Sequence, residues 1–150
     1  MLAHYASAQG ELAAENALGE RKKFDGDNIP GCVYSDPEFA GVGLLEQEAV
    51  ERNLTISVGK FPLKASGKAL TMNKTYGMAK VLIEKESHKI LGVHILGERA
   101  TDLISEATVV MQNEGTAQEI VEAIHPHPTL SEVVREATLA AETRAIHIPN

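Results

Sequence analysis

Hydrophobic and polar positions change their rhythm along this chain, from short alternating stretches in the middle to helical spacing in the last third. Residues 29–35 form an apolar run that ends at Asp36-Pro37-Glu38, where the proline cannot donate to a ladder, so the run predicts a short strand closed by a turn. Leu45, Ala49 and Val50 share one face of a predicted helix over 44–52. Residues 55–61 alternate as a half-buried strand does. The stretch 64–75 is rich in Lys, Ser, Gly, Thr and Asn and predicts an irregular connection. Residues 77–84 and 89–96 then read as two strands, joined by a polar turn at 85–88.

Beyond residue 100 the apolar spacing is helical. Thr101 is a predicted cap for a helix with Leu103, Ile104, Ala107, Val110 and Met111 on its face, ended by Gly115. Thr116 and Glu119 have capping-box spacing for a short helix to about 124, and Thr129 and Glu132 have it for a helix to about 142. Residues 1–18 are Ala- and Glu-rich and helical in character, with Gly10 expected to interrupt them and a charged exit at 19–23. Strands first and helices last predict an α+β fold, an antiparallel sheet with helices packed on one side.

Length and charge narrow the partners. A chain of 150 residues suffices for one domain that buries roughly 70% of its unfolded surface. With 14 Lys+Arg against 21 Asp+Glu, a net charge of −7 and six Phe and Tyr, it has no electrostatic footprint for phosphate backbones and few rings for stacking bases. Nucleic acid is excluded as an expected partner. Apolar runs such as Val81–Ile83 fall far short of the roughly 20 residues of a bilayer span, so no membrane partner is expected. Cys32, the only cysteine, suits a reducing compartment and is expected to be a small buried residue of the first strand.

The most unusual local sequence runs from Ile124 to Glu132. His125 and His127 each precede a proline, which disfavours α geometry and holds the backbone extended. Glu132 follows in the first turn of the next predicted helix, close enough to hydrogen-bond one ring nitrogen of His127 and leave the other outward. That arrangement sets the tautomer and raises the basicity that a general acid–base needs. Spacing leaves open a second role for Glu132, as the capping-box partner of Thr129. His125-x-His127 supplies only half a metal site, because no third ligand has suitable spacing; no metal is expected. His94, inside an apolar strand, is expected to be a satisfied core residue, and His88, His4 and His147 carry little signal. There is no Gly-x-Gly-x-x-Gly, no phosphate-binding loop, no Cys pair and no Gly-x-Ser-x-Gly, so the base lacks a redox centre or nucleophile within these residues.

His125 through Glu132, with the Val133–Ala137 continuation, resembles the C-terminal signature of the dihydrolipoamide dehydrogenases, flavoproteins of the pyridine-nucleotide disulfide oxidoreductase family. Agreement extends to Ile29–Glu38, Gly41–Gly43, Gly59–Pro62 and Leu91–Gly97, and Met1–His4 resembles the element that closes the family's flavin-binding domain. Departures at 66–68 and at Tyr76 fall in a surface connection. The resemblance implies that residues 1–27 are the tail end of a flavin-binding domain plus connector and that 28–150 form the interface, or dimerisation, domain. It implies a homodimer in which His127 is the acid–base for dihydrolipoamide oxidation, oriented by Glu132 and supported by His125, acting on the flavin and disulfide of the opposite subunit. Met1, Leu2, Ala3 and His4 would touch the flavin of their own subunit, and His127-Pro128 that of the partner. FAD and NAD would serve the full-length enzyme, with none bound tightly by this piece, which is expected to be inactive alone. The partner would be the lipoyl domain of a 2-oxo-acid dehydrogenase complex, in the cytoplasm or, in a eukaryote, the mitochondrial matrix. The alternatives are a stand-alone dimerisation module and a family relative with another disulfide substrate such as glutathione; soluble transhydrogenases, which need no dithiol-facing histidine, and mercuric reductases, which carry a C-terminal cysteine pair, fit less well.

Overall fold

The computed structural model describes residues 2–150, so Met1, one of the positions expected against the flavin, lies outside the described residues. The elements are α1 (Ala3–Ala17), β1 (Gly31–Val33), β2 (Glu38–Gly43), α2 (Glu46–Glu51), β3 (Ile56–Pro62), α3 (Gly67–Thr71), β4 (Met78–Glu84), β5 (Ile90–Gly97), α4 (Ala100–Gln112), α5 (Ala117–Glu122) and α6 (Glu132–Ala141). A 3₁₀ turn at Leu63–Ala65 joins β3 to α3.

Five strands form one sheet in the order β1-β2-β5-β4-β3, and every neighbouring pair is antiparallel. This is the α+β architecture that the strand-then-helix order predicts. One face carries Ala40, Val42, Phe61, Ala79, Val81, Val93 and Ile95, which pack with Ile104, Ala107 and Met111 of α4 and Val133, Val134 and Ala137 of α6. Alternation explains the choice of face: successive side chains point to opposite sides, so only every second residue of each strand reaches the helices. At Gly59 the helix backbone lies directly on the strand, because a methyl group there would collide with the Ala137 carbonyl and the Ala141 amide.

The second face is only partly covered. Leu44 crosses it at Gly92, where a side chain would meet the Leu44 carbonyl, and Glu46 of α2 pairs with Lys80 at 3.4 Å. That leaves an apolar hollow of about 500 Å³ lined by Phe39, Leu45, Met78, Leu96 and the flanks of Lys80 and His94.

Several local expectations are corrected. Gly10 does not interrupt α1, since one mid-helix glycine costs only about 0.5–1 kcal/mol against Ala. Residues 38–43 form a strand with two glycines that the turn signal at 36–38 conceals. Of the face expected for α2, only Ala49 is buried, while Leu45 and Val50 are exposed. The connection 64–75 contains α3, capped by the Ser66 hydroxyl, which accepts from the Ala69 amide. Thr101 does not cap α4: the cap position is Arg99, in left-handed backbone, and the Glu38 carboxylate accepts from both the Thr101 amide (2.9 Å) and hydroxyl (2.7 Å). Thr116 and Glu119 do form their capping box. No helix among the described residues is long and apolar enough to cross a membrane.

Candidate active site

The connection from α5 to α6 is built by its prolines. α5 ends at Glu122, and the Pro126 and Pro128 rings forbid helix at the residues before them, so residues 123–131 pass between the two helices without regular structure. The His127-Pro128 bond is cis, as is Asp36-Pro37. Arg135 ties the ends together, its Nε donating to the Val121 carbonyl at 3.0 Å.

His127 and Glu132 meet within this frame. The His127 Nδ1 lies 2.8 Å from Glu132 Oε1, while Oε2 of the same carboxylate accepts from the Thr129 amide at 2.7 Å. Glu132 therefore orients the ring and also accepts from the Thr129 amide, but it does not complete a capping box. The reciprocal half of a Thr129 capping box is not made, because the Thr129 hydroxyl donates to the Pro126 carbonyl at 2.7 Å and Ser131 holds the cap position. An ionised carboxylate only accepts, so Nδ1 carries the proton and Nε2 is left with the lone pair. The His127 side chain is 75% exposed and that of Glu132 26%, which places the base outward on a half-buried support. Burial pushes the Glu132 carboxyl up, but the Thr129 amide and His127 together hold it below the usual carboxylate value.

His125 faces inward. Its side chain is 6% exposed, with Nε2 2.7 Å from Glu106 Oε1 of α4 and Nδ1 3.0 Å from the Ala123 carbonyl. It thus pins the loop to α4. Glu106 was not singled out by sequence, since its partner lies 19 residues away on another element.

Leu2, Ala3 and His4 lie at the start of α1. Leu2 supplies no side-chain cap there, and the His4 Nε2 lies 2.9 Å from the Pro30 carbonyl. No hydrogen bond among the described residues joins these three to the 125–132 loop. Cys32 is only half-buried in β1, and burial raises its thiol pKa, the opposite of what an attacking thiolate needs. His94 is a correction to the expected satisfied core residue: its Nδ1 is buried with no hydrogen-bond partner among the described residues, and burial, helped by the Lys80 charge, pushes the imidazole pKa down. Among the described residues no three His, Cys, Asp or Glu side chains converge as metal ligands.

Residues 29–138 match the family model described as pyridine nucleotide-disulphide oxidoreductase, dimerisation domain, and the chain belongs to that family. A dihydrolipoyl dehydrogenase of Thermus scotoductus is 46% identical over 150 residues, covering all of this chain and 32% of the relative. One of Bacillus subtilis is 44% identical over 97% of this chain and 31% of its own length, and the mitochondrial dihydrolipoyl dehydrogenase of Pisum sativum is 40% identical over 99% and 30%. Among solved structures, LpdA of Mycobacterium tuberculosis superposes with a TM-score of 0.85 at 25% identity, over 91% of this chain and 30% of that one. The HOCl-induced flavoprotein disulfide reductase RclA of Escherichia coli does so at 0.81 and 27%, over 85% and 30%. The chain thus spans about a third of the length of these relatives.

Proposed function

We propose that this chain is the dimerisation domain of a dihydrolipoyl dehydrogenase and supplies the acid–base of its thiol chemistry. The observation that carries the reading is the outward Nε2 of His127, fixed by a carboxylate that is itself held by the Thr129 amide. A thiol of dihydrolipoamide would give its proton to that nitrogen, leaving a thiolate competent for exchange with a disulfide. FAD, when bound, would accept the electron pair and deliver it to NAD as hydride.

The residues present fit a flavin in two separate places. The α1 N-terminus lacks a side-chain cap, so the amides at Ala3 and His4 are free to donate to a carbonyl-rich ring edge; the His127-Pro128 backbone belongs to the other end of the site. In a homodimer these two groups would serve different flavins. Residues 1–27 as the end of a flavin-binding domain are supported by α1, which buries no side chain of its own. The reading includes a homodimer, lipoyl domains as the source of dithiol, and a cytoplasmic or mitochondrial-matrix setting.

The test uses the full-length enzyme. His127→Ala should lower dihydrolipoamide-dependent NAD reduction by roughly 10²- to 10⁴-fold, the range of a lost acid–base, with FAD content and NADH oxidation by an artificial acceptor retained. Wild-type dihydrolipoamide turnover in that variant would overturn the reading.

A further inference from the structure

One turn beyond Glu132, α6 carries a second carboxylate that the proposed chemistry leaves unused. Glu136 is 3% exposed, and at four residues' spacing it lies on the same helix face as Glu132. A buried carboxylate without partners is strongly disfavoured, and nothing on α6 itself supplies them. They come from the C-terminal segment. Glu136 Oε1 lies 3.0 Å from Nδ1 of His147, and Oε2 accepts from the amides of Ile146 (3.3 Å) and His147 (3.2 Å). One carboxylate thus fastens two consecutive residues against the helix.

The fastening brings His147 to the candidate site. His127, Glu132, Glu136 and His147 border one cavity of about 40 Å³, whose other wall comes from Phe61 and the 65–67 turn and contributes no charged group. A second hollow, of about 240 Å³, joins His147 to Glu122 of α5, His125 of the loop, and Glu132, Arg135 and Glu136 of α6. The charge of His147 is close enough to help hold Glu132 ionised.

We propose that Glu136 and His147 are positioning residues for the His127–Glu132 pair: Glu136 anchors the C-terminal segment, and His147, so held, walls in the Glu132 carboxylate that orients the base. The inference rests on His127 being the acid–base. Loss of the wall leaves the Glu132 carboxylate held by the Thr129 amide alone, so the acceptor that orients the His127 ring is less firmly placed.

The experiment is the pH profile of kcat/KM for dihydrolipoamide in the full-length enzyme. His147→Ala and Glu136→Gln should each lower kcat/KM by about 10-fold or more at neutral pH and move the acid limb to lower pH, the direction also expected of Glu132→Gln. NADH oxidation by an artificial acceptor and FAD content should not change. His147 is 57% exposed in its side chain, so its variant remains informative even where Glu136→Gln folds poorly. Superimposable profiles for His147→Ala and the wild type, or an acid limb moved upward, would overturn the inference. If His127→Ala is inactive and His147→Ala is unaffected, only the inference fails; an active His127→Ala removes the acid–base reading beneath it.

Discussion

Glu132 divides its two oxygens between a ring nitrogen and a backbone amide, and that division sets its titration. Its folded pKa is depressed, so the stabilisation it brings is present above the unfolded value of 4.5 and is lost as pH falls through the folded value. His94 acts in the opposite range. Its folded pKa is lowered from 6.5, so at higher pH the imidazole is neutral in both states and incurs no penalty. As pH falls through 6.5 the unfolded chain takes up a proton that the folded chain refuses, and stability declines until the folded value is passed. Urea unfolding between pH 7.5 and 5.5 should therefore show a slope that His94→Leu makes shallower; identical slopes would contradict this account. Gly41 leaves the space for that ring, since a methyl group there would sit 2.7 Å from the His94 Cδ2. Gly41→Ala should cost about 1–3 kcal/mol by overpacking, read from the same urea curves.

Contacts between elements are governed by backbone proximity as much as by side chains. α6 lies on β3 at Gly59 so closely that Gly59→Ala must separate the two, at a cost of about 3 kcal/mol or more in thermal or urea unfolding, well above the roughly 1 kcal/mol expected for Thr116→Ala at the α5 cap. The elements that sequence reveals are those whose signal is local: β3 by alternation, β4 and β5 as apolar runs joined by a polar turn, α4 to α6 by spacing, and the His127–Glu132 pair because both members sit on one short connection. What it conceals depends on distant partners. β2 is a strand because β1 and β5 flank it, despite Gly41 and Gly43 and the turn signal before it. Glu38 caps α4 from 63 residues away, and neither Glu106 behind His125 nor His147 against Glu136 has any local pattern to mark it.

At the scale of the whole molecule, residues 29–138, which match the family model, contain the sheet, α4, α5 and most of α6, and the candidate base projects from their surface. α1 stands apart from this arrangement. It is 15 residues long and buries none of them; the Tyr5 and Phe24 rings, 5.2 Å apart, the His4 contact to Pro30, and the bonds of Asn16 and Glu15 to Lys22 tether it. Helices of that length are marginal in water without tertiary packing. In this chain by itself, backbone amides of residues 3–17 should exchange with solvent orders of magnitude faster than those of β4 and β5, and brief trypsin treatment should cut first at Arg21, Lys22 or Lys23. Equal protection of α1 and the sheet would contradict the expectation. The helix would then serve as a reporter: its resistance to protease would rise only when something else covers it, so the rate of that one cut measures whether the domain has found its surroundings.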